Sequence, residues 1–345
     1  MQELAGRLVP QTTTNARAHQ RAHDRLLAAV ERIEELVERC DRIAHLEPLP
    51  QSLAELVLRE LDAFVHELDR QVRESAPSAA RELGQAVKAA LVPMLQRADN
   101  GWRWCAKPRG YAGDYLTIAR IYDDRASGDG PVGALLDRCC LNVPAAIAVR
   151  NRRHLLAEQI RATVAAARGH AARVTSLAAG PARELFDVYA RLDQPGALVS
   201  TLVDFDVEAL QACSVESARH EVDHLVALVD ANLIHVAVGR RALELAPQDL
   251  VYSIGLVDYF ADDLAVKLLD AIHAMLRPGG RVVLGNFHPR NPTRAFMDHV
   301  LDWPLVHRDE AAMHALFRAS AFRTGCTRIF YEPLGINLFA ECVRT

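Results

Sequence analysis

The feature that most constrains the fold is a change of hydrophobic periodicity at Gly169. From about Asn15 to Ala167 the apolar residues recur every three or four positions, which is the spacing of amphipathic helices. After Gly169, short apolar runs rich in β-branched residues alternate with helical segments, as in an open parallel sheet covered by helices. The sequence therefore predicts an all-helical N-terminal domain, residues 1–143, followed by a Rossmann-like α/β domain, residues 144–345.

The first predicted helix carries an apolar seam of two heptads, formed by Leu26, Val30, Ile33, Val37 and Cys40. So short a seam favours packing inside a helical bundle over a coiled-coil dimer, although a homodimer through these helices stays open. Four further helices are predicted before the long helix Pro144–Arg168. They span about 52–74, 78–99, 114–124 and 133–140.

Composition narrows the functional classes. The chain of 345 residues is 50% hydrophobic and 24% charged with a formal charge of −4, so a basic surface for nucleic acid is not expected. Its seven cysteines form no CxxC pair, and no histidine cluster has metal-ligand spacing, so neither a disulfide framework nor a metal site is predicted. The N-terminal stretch lacks the apolar core of a signal peptide, and no apolar run could span a membrane. We therefore expect a cytoplasmic protein.

The first predicted strand, RVTSL, runs into the loop AAGPARE, where small residues let a ligand approach the backbone. Ala178 and Gly180 lie in this loop, and Pro181 suits the first turn of a helix. A single glycine is not the GxGxxG fingerprint of diphosphate-binding loops, so the loop suits a ligand without phosphate. Plain packing at a strand-to-helix turn explains the same residues equally well.

The second predicted strand, ALVSTLVDF, ends in an acid. Asp204 follows Gly180 by about 24 residues, the place where a carboxylate can accept both hydroxyls of a ribose. Phe205 beside it is expected to cover an adenine face, and Asp206 to cap the next helix.

Together these features resemble the class I S-adenosylmethionine-dependent methyltransferases. The resemblance covers about residues 171–345 and rests on the AAGPA loop, Asp204, the turn LRPGGRVVL and two closing strands at about 327–331 and 337–343. It implies a Rossmann-like methyltransferase sheet of seven strands with the last one antiparallel, S-adenosylmethionine as cofactor and S-adenosylhomocysteine as product. The third strand is predicted at NLIHVAV. No acid follows it, so main-chain atoms of Val236 and Ala237 are expected to contact the adenine.

The loop KPRGYAGDY, Lys107–Tyr115, combines cations, glycines and tyrosines that neither a helix nor a strand requires. Arg109 can fork onto a carboxylate, and Lys107 offers a second cation. Tyr111 and Tyr115 offer flat faces with hydroxyls. A capped interhelical turn with solvated cations is the alternative.

This loop, the IYDD that follows it, DYF and GNFHPRNP are similar to the bacterial 3-hydroxypalmitic acid methyl ester synthases over about residues 102–345. That resemblance implies methylation of the carboxylate of a fatty acid. Methyl transfer requires water to be excluded, which an open sheet edge cannot do alone, so we expect the helical domain to act as a lid with the loop folded over the cofactor. The predicted site then divides by role, with the following residues. Catalytic residues are His288, Tyr111 and Tyr115; cofactor contacts are Arg109, Tyr115, Ala178, Gly180, Pro181, Asp204, Phe205, Val236, Ala237, Ser253, Ile254, Gly255 and Tyr259; substrate contacts are Lys107, Arg109, Tyr111, Asn286, His288 and Phe296.

Several alternatives stay open at this point. His288 serves as a base if a specialised metabolite offers a hydroxyl or an amine, whereas a carboxylate is already ionised and needs none. The apolar face around Phe296 lines an acyl pocket or packs on the helical domain. A non-catalytic S-adenosylmethionine-binding protein is the third hypothesis, since the AAGPA loop has only one glycine.

Overall fold

The computed structural model describes residues 11–45 and 48–345, and the side chains from residue 20 onward. The absence of a signal peptide was predicted from a stretch whose first ten residues lie outside this part. The helices and strands have the following bounds. They are α1 (Gln11–Ala44), α2 (Gln51–Glu74), α3 (Pro77–Leu95), α4 (Asp99–Ala106), α5 (Tyr115–Asp123), α6 (Gly130–Asn142), α7 (Pro144–Ala166), β1 (Ala172–Leu177), α8 (Arg183–Tyr189), β2 (Leu198–Asp204), α9 (Val207–Arg219), β3 (Val226–Asp230), α10 (Leu233–Ala237), β4 (Gln248–Ile254), α11 (Asp262–Met275), β5 (Leu276–Phe287), α12 (Glu310–Ala319), β6 (Arg328–Tyr331) and β7 (Asn337–Val343).

The chain divides into two compact units. The helical unit contains the described residues up to Pro108 together with Ala126–Val143 and Pro292–Pro304. The α/β unit contains Arg109–Arg125, Pro144–Asn291 and Leu305–Thr345. One boundary between the two units lies between Val143 and Pro144, and two short segments, Arg109–Arg125 and Pro292–Pro304, belong to the unit on the other side of it. Most of the KPRGYAGDY loop is therefore part of the α/β unit.

The apolar seam of α1 is buried inside the helical unit. Leu26, Val30, Ile33, Val37 and Cys40 are each no more than 5% exposed. Helix α1 packs on α2, α3 and α6, so these residues are covered by the same chain. Bundle packing accounts for the seam without a second copy of the chain.

The segment Pro292–Pro304 packs into the helical unit, although it follows strand β5. Its π-helical turn, Phe296–Val300, lies on α3. Phe296, Met297 and Val300 are between 1% and 4% exposed. Of the two interpretations left open by the sequence, the structure has the apolar face packed in the helical unit.

The α/β unit contains a seven-stranded sheet in the order β3-β2-β1-β4-β5-β7-β6. Strand β7 runs antiparallel to β5 and β6, whereas the pairs from β3 across to β5 are parallel. This arrangement confirms the predicted Rossmann-like methyltransferase sheet. The strand order reverses between β1 and β4, and ligands of open α/β sheets bind beyond the carboxyl ends of the strands at such a point.

The third strand is not where the sequence analysis placed it. Strand β3 is Val226–Asp230, and the run NLIHVAV forms the short helix α10. The side chain of Asn232 caps α10 by accepting a hydrogen bond from the amide of Ile234 at 2.9 Å. Val236 and Ala237 are thus buried helical residues, 4% and 8% exposed, and do not lie at a strand end as predicted.

Within the described residues, no single helix has the length and apolar character needed to cross a membrane. Helices α6 and α7 satisfy that test only when they are combined as a bent pair.

The packing of Pro292–Pro304 on α3 predicts that a methyl group added at Gly84 lowers the stability of the helical unit. A Cβ added at Gly84 would lie 2.5 Å from the Cβ of His299, a clash that the side chain cannot avoid by rotating. We expect Gly84→Ala to lower the free energy of unfolding of the helical unit by about 1–3 kcal/mol, more than the gain in helix propensity. Differential scanning calorimetry measures the change.

Gly196→Ala is the matched control, because a Cβ at that position meets nothing within 4 Å. A Gly84→Ala protein as stable as the control would contradict the packing of this segment on α3.

Candidate active site

The loop after β1 has an unusual backbone. Ala178, Gly180 and Ala182 have φ angles of 56°, 52° and 45°, all in the left-handed region. This region is costly for alanine, and such residues persist only where the surrounding structure holds them, often at functional sites. A Cβ built on Gly180 would meet nothing within 4 Å, so the space beside this residue is open. Pro181 follows as a buried residue before α8.

Asp204 fixes this loop to the end of β2. It is 6% exposed, and its Oδ2 accepts a hydrogen bond from the amide of Gly180 at 2.8 Å. Its Oδ1 accepts one from the amide of Asp206 at 3.0 Å. Burial raises the pKa of Asp204, and both backbone hydrogen bonds act in the opposite direction. Phe205 next to it is 55% exposed, an uncommon exposure for a large apolar side chain beside a buried acid.

The KPRGYAGDY loop is attached to the same strand end by Arg109. Its Nη2 donates to both carboxylate oxygens of Asp206 at 2.8 and 2.9 Å, and its Nη1 donates to Oε2 of Glu208 at 2.6 Å. The guanidinium also lies 5.0 Å from the centre of the Tyr115 ring. Two protein carboxylates therefore occupy the fork that the sequence analysis reserved for a ligand carboxylate. In this structure Arg109 clamps the loop to the start of α9.

Tyr111 lies over the end of β2, with its ring centre 5.8 Å from that of Phe205. Burial raises the pKa of its phenol well above the usual value, and the charges of Asp206, Asp204 and Asp114 raise it further. Tyr111 therefore stays protonated at physiological pH and can donate, but not remove, a proton.

The two ends of the loop are ordinary caps. Lys107 ends α4 in the left-handed conformation, φ 46°, and belongs to the helical unit. Asp114 begins α5 by accepting from the amides of Leu116 and Thr117. The ends of the loop are thus capped turns, as in the alternative interpretation, whereas its middle contacts Phe205 and the start of α9.

The exit of β4 supplies the next group of predicted contacts. Ser253 is fully buried, and its Oγ donates to the carbonyl of Leu177 at 2.9 Å, which links the ends of β1 and β4. Ile254 and Gly255 are partly exposed, Gly255 with a φ of 88°, and Tyr259 is 44% exposed. Ser253 therefore has a structural partner, while Gly255 and Tyr259 are accessible.

Asn286 is held on all sides by protein groups. Its Nδ2 donates to the carbonyls of Phe287 and Val306, both at 2.9 Å, and its Oδ1 accepts from Arg308 at 3.0 Å. With no exposed surface, Asn286 has no side-chain atom available for the predicted contact with an acceptor.

His288 is also engaged. Its Nδ1 accepts from the amide of Arg290 at 3.0 Å, so Nε2 carries the proton and donates to Glu310 at 3.3 Å. The hydroxyl of Tyr331 and His288 lower the pKa of Glu310 to about 2, so this carboxylate is ionised and holds the histidine. His288 is 5% exposed and offers no free nitrogen for the predicted role as a base.

Two residues at this edge were missed by the sequence analysis. Arg152 on α7 is 5% exposed and points its terminal nitrogens at Gly255. Asp230 ends β3 and pairs in register with Asp204 on β2. The motif VALVDAN signals Asp230 once the third strand is placed correctly, whereas the run NRRHLL does not show which of its two arginines faces inward.

No group of three or more His, Cys, Asp or Glu side chains suited to a metal ion occurs in the described part of the chain.

The raised pKa of Asp258, at the exit of β4, predicts that the stability of the protein depends on pH. Burial raises its pKa from 3.8 to about 6, while its hydrogen bond from the amide of Phe287 and the charges of Arg152 and Arg308 lower it. Between these two pH values the folded state binds a proton that the unfolded state releases, so stability falls as the pH rises from about 4 to about 6. Asp258→Asn should remove this loss and gain roughly 2–3 kcal/mol over wild type between pH 4 and pH 7.

Urea unfolding at several pH values measures the difference. Asp193→Asn, at an exposed position, is the control. A difference between Asp258→Asn and wild type that does not change with pH would contradict the raised pKa.

Three solved structures of known proteins are similar to this chain. A structure from Bordetella parapertussis, described as a possible exported protein, has 17% identity and a TM-score of 0.59, with 84% of this chain and 96% of that one covered. Mitomycin 7-O-methyltransferase has 18% identity and a TM-score of 0.46, with 97% and 100% covered. Magnesium protoporphyrin IX methyltransferase from Synechocystis PCC 6803, with bound S-adenosylmethionine, has 11% identity and a TM-score of 0.46, with 70% and 97% covered.

A search of curated proteins finds no significant match. Residues 51–337 match the model of a protein family described as "Putative methyltransferase". Because this match spans most of the chain, including the sheet edge described above, the protein belongs to that methyltransferase family.

Proposed function

We propose that the protein transfers a methyl group from S-adenosylmethionine to the carboxylate of a small molecule, a hydroxy fatty acid or a related acid. The observation that carries the proposal is the junction of β1 and β2. There Asp204 holds the amide of Gly180, and the exposed Phe205 lies beside it with Tyr111 5.8 Å away. Membership of the methyltransferase family supports the type of reaction.

The residues of this junction fit an adenosine group. A ribose would lie in the open space beside Gly180, with its hydroxyls bound by the carboxylate of Asp204. Phe205, 55% exposed, would cover one face of the adenine. Asp230 ends the neighbouring strand with an exposed carboxylate, and it replaces the main chain of Val236 and Ala237 as the proposed partner of the adenine amino group.

When bound, S-adenosylmethionine supplies an electrophilic methyl group on its sulfonium. The chain's own contribution is positioning and exclusion of water, since displacement at a methyl group requires an aligned acceptor. Arg109 keeps Tyr111 over the end of β2, where the neutral phenol donates a hydrogen bond to a ligand. Gly255 and Tyr259 line the exit of β4, where the methyl group would lie.

An acceptor carboxylate is supported by the lack of a base among the predicted residues. Both nitrogens of His288 have protein partners, and Asn286 is saturated. A carboxylate is ionised at neutral pH and needs only alignment and desolvation. The similarity to 3-hydroxypalmitic acid methyl ester synthases points to a fatty acid. Lys107 and Phe296 lie in the helical unit, and their contacts with substrate stay predictions.

A second candidate function is methylation of a hydroxyl or an amine. It is favoured by Asp258, a buried carboxyl at the β4 exit with a pKa of about 6, which suits a general base near neutral pH. In that case Asp258 accepts the proton that the acceptor loses.

Isothermal titration with S-adenosylhomocysteine tests the cofactor site. We expect Asp204→Ala to raise the Kd by about 10- to 100-fold, because a charged acceptor for two hydroxyls is lost. Asp193→Ala, which changes an exposed aspartate far from β2's carboxyl end, should bind like wild type. A folded Asp204→Ala protein with wild-type affinity would contradict the assignment of the ribose site.

Product analysis tests the acceptor. With S-adenosylmethionine and 3-hydroxyhexadecanoate we expect a methyl ester, formed at a rate that does not change between pH 6 and 8 because the acid is already ionised. Mass spectrometry identifies the product. Turnover of matched alcohols or amines without the acid, with a rate that rises through about pH 6, would favour Asp258 as a base and the second function.

A further inference from the structure

We propose that Arg152 binds a carboxylate of a ligand at the exit of β4. The inference rests on the proposed function and adds to it a residue that recognises the charged end of the cofactor or of the acceptor. It depends on the environment of one guanidinium within the α/β unit.

Arg152 is a buried cation for which the described part of the chain supplies no ion pair. It is 5% exposed, and within that part its Nε has no hydrogen-bond partner. Among the described residues, no carboxylate lies within ion-pair distance of its guanidinium, and its polar neighbour is the hydroxyl of the buried Tyr122. A buried charge without a partner is strongly unfavourable, so such a group indicates a counter-ion that binds with the ligand.

The other arginines near this edge differ in this respect. Arg109 is paired with Asp206 and Glu208, and Arg153, the next residue on α7, is paired with Asp187 at 2.6 and 2.8 Å. Arg308 donates five hydrogen bonds, two of them to Asp262. The Nε of Arg109 also has no hydrogen-bond partner among the described residues, so the difference lies in the ion pairs. Arg109, Arg153 and Arg308 each form one with a carboxylate of the chain.

The two acids whose charges interact with Arg152, Glu184 and Asp258, already accept hydrogen bonds from other groups of the chain. Oε1 of Glu184 accepts from the hydroxyl of Tyr252 at 2.9 Å, and Oδ1 of Asp258 accepts from the amide of Phe287 at 2.7 Å. Burial raises the pKa of both carboxyls, although Arg152 acts on both in the opposite direction. Their charges therefore favour a cation in this place without forming a pair with it.

The guanidinium faces the ligand side of the sheet. A Cβ added at Gly255 would lie 3.1 Å from Nη1 and 3.4 Å from Nη2 of Arg152. Gly255 has a φ of 88°, so glycine allows both this backbone turn and the close approach of the guanidinium. Since β4 is one of the two strands at the reversal of strand order, the terminal nitrogens lie where the fold binds ligands.

A carboxylate is the anion that fits the site. Its two oxygens match the planar fork of a guanidinium. The amino acid portion of S-adenosylmethionine carries one, and the proposed acid acceptor carries another. Both sources present the same group to Arg152, and binding experiments distinguish them.

The test compares Arg152→Met with Arg153→Met, a change of the adjacent arginine that is paired with Asp187. The probes are S-adenosylhomocysteine and 5′-methylthioadenosine, which share the nucleoside but differ in the amino acid portion. If Arg152 binds the cofactor, Arg152→Met raises the Kd of S-adenosylhomocysteine by about 30-fold or more and changes that of methylthioadenosine by less than about threefold. Arg152→Lys should restore part of the affinity, and Arg153→Met should leave both Kd values near wild type.

If Arg152 binds the acceptor, both Kd values stay unchanged and the KM for 3-hydroxyhexadecanoate rises by about 30-fold or more. If a folded Arg152→Met protein has the wild-type Kd for both nucleosides and the wild-type KM for 3-hydroxyhexadecanoate, the inference is overturned but the proposed function is not. A wild-type protein that binds neither nucleoside would refute the proposed function, and the inference with it. Circular dichroism establishes that each variant is folded.

Discussion

The hydrogen bond from the amide of Gly180 to the carboxylate of Asp204 is the interaction on which the site depends. It joins the loop after β1 to the end of β2, and it helps to hold a backbone that would otherwise not place Ala178 and Ala182 in the left-handed region. The same carboxylate accepts a hydrogen bond from the amide of Asp206, the residue that caps α9 and binds Arg109. One buried acid thus connects the loop, the helix and the segment that carries Tyr111.

The distribution of charge at this sheet edge explains why Arg109 is not available to bind a ligand carboxylate. Acids outnumber bases where Arg109 lies, and its guanidinium is neutralised by Asp206 and Glu208. Arg109 attaches the KPRGYAGDY loop to the start of α9. At the β4 exit, Arg152 is buried and forms no ion pair with any of the described residues, although the carboxyls of Glu184 and Asp258 are near enough to interact with its charge. A neutral small-residue loop on one side and an unpaired cation on the other suit a ligand with a nucleoside at one end and a carboxylate at the other.

Much of this fold could be predicted from the sequence, for reasons that individual elements make clear. Strands β1, β2 and β4 are almost wholly buried, so their apolar runs are continuous and easily recognised. Strand β3 is at the sheet edge and has exposed residues, so its signal is weak, whereas NLIHVAV is apolar enough to be mistaken for a buried strand. In the structure this run is a helix, whose first turn is capped by the side-chain oxygen of Asn232.

The candidate site could be predicted only in part. Asp204, Phe205 and Gly180 follow from their place at strand ends, which local sequence reveals. The partners of Arg109, Asn286 and His288 come from segments many residues away, such as α9, the chain around Val306 and α12. Nothing in their local sequence shows that these polar groups are already satisfied. The same long-range packing distinguishes Arg152 from Arg153, since only the fold decides which of two adjacent side chains meets Asp187.

The most direct measurement is a crystal structure of the protein with S-adenosylhomocysteine. The account predicts the ribose hydroxyls on the carboxylate of Asp204, the adenine against Phe205, and the homocysteine portion extending past Gly180 towards Gly255. Nucleoside density at any other place, or a ribose without contact to Asp204, would contradict the assignment of this edge as the methyltransferase site.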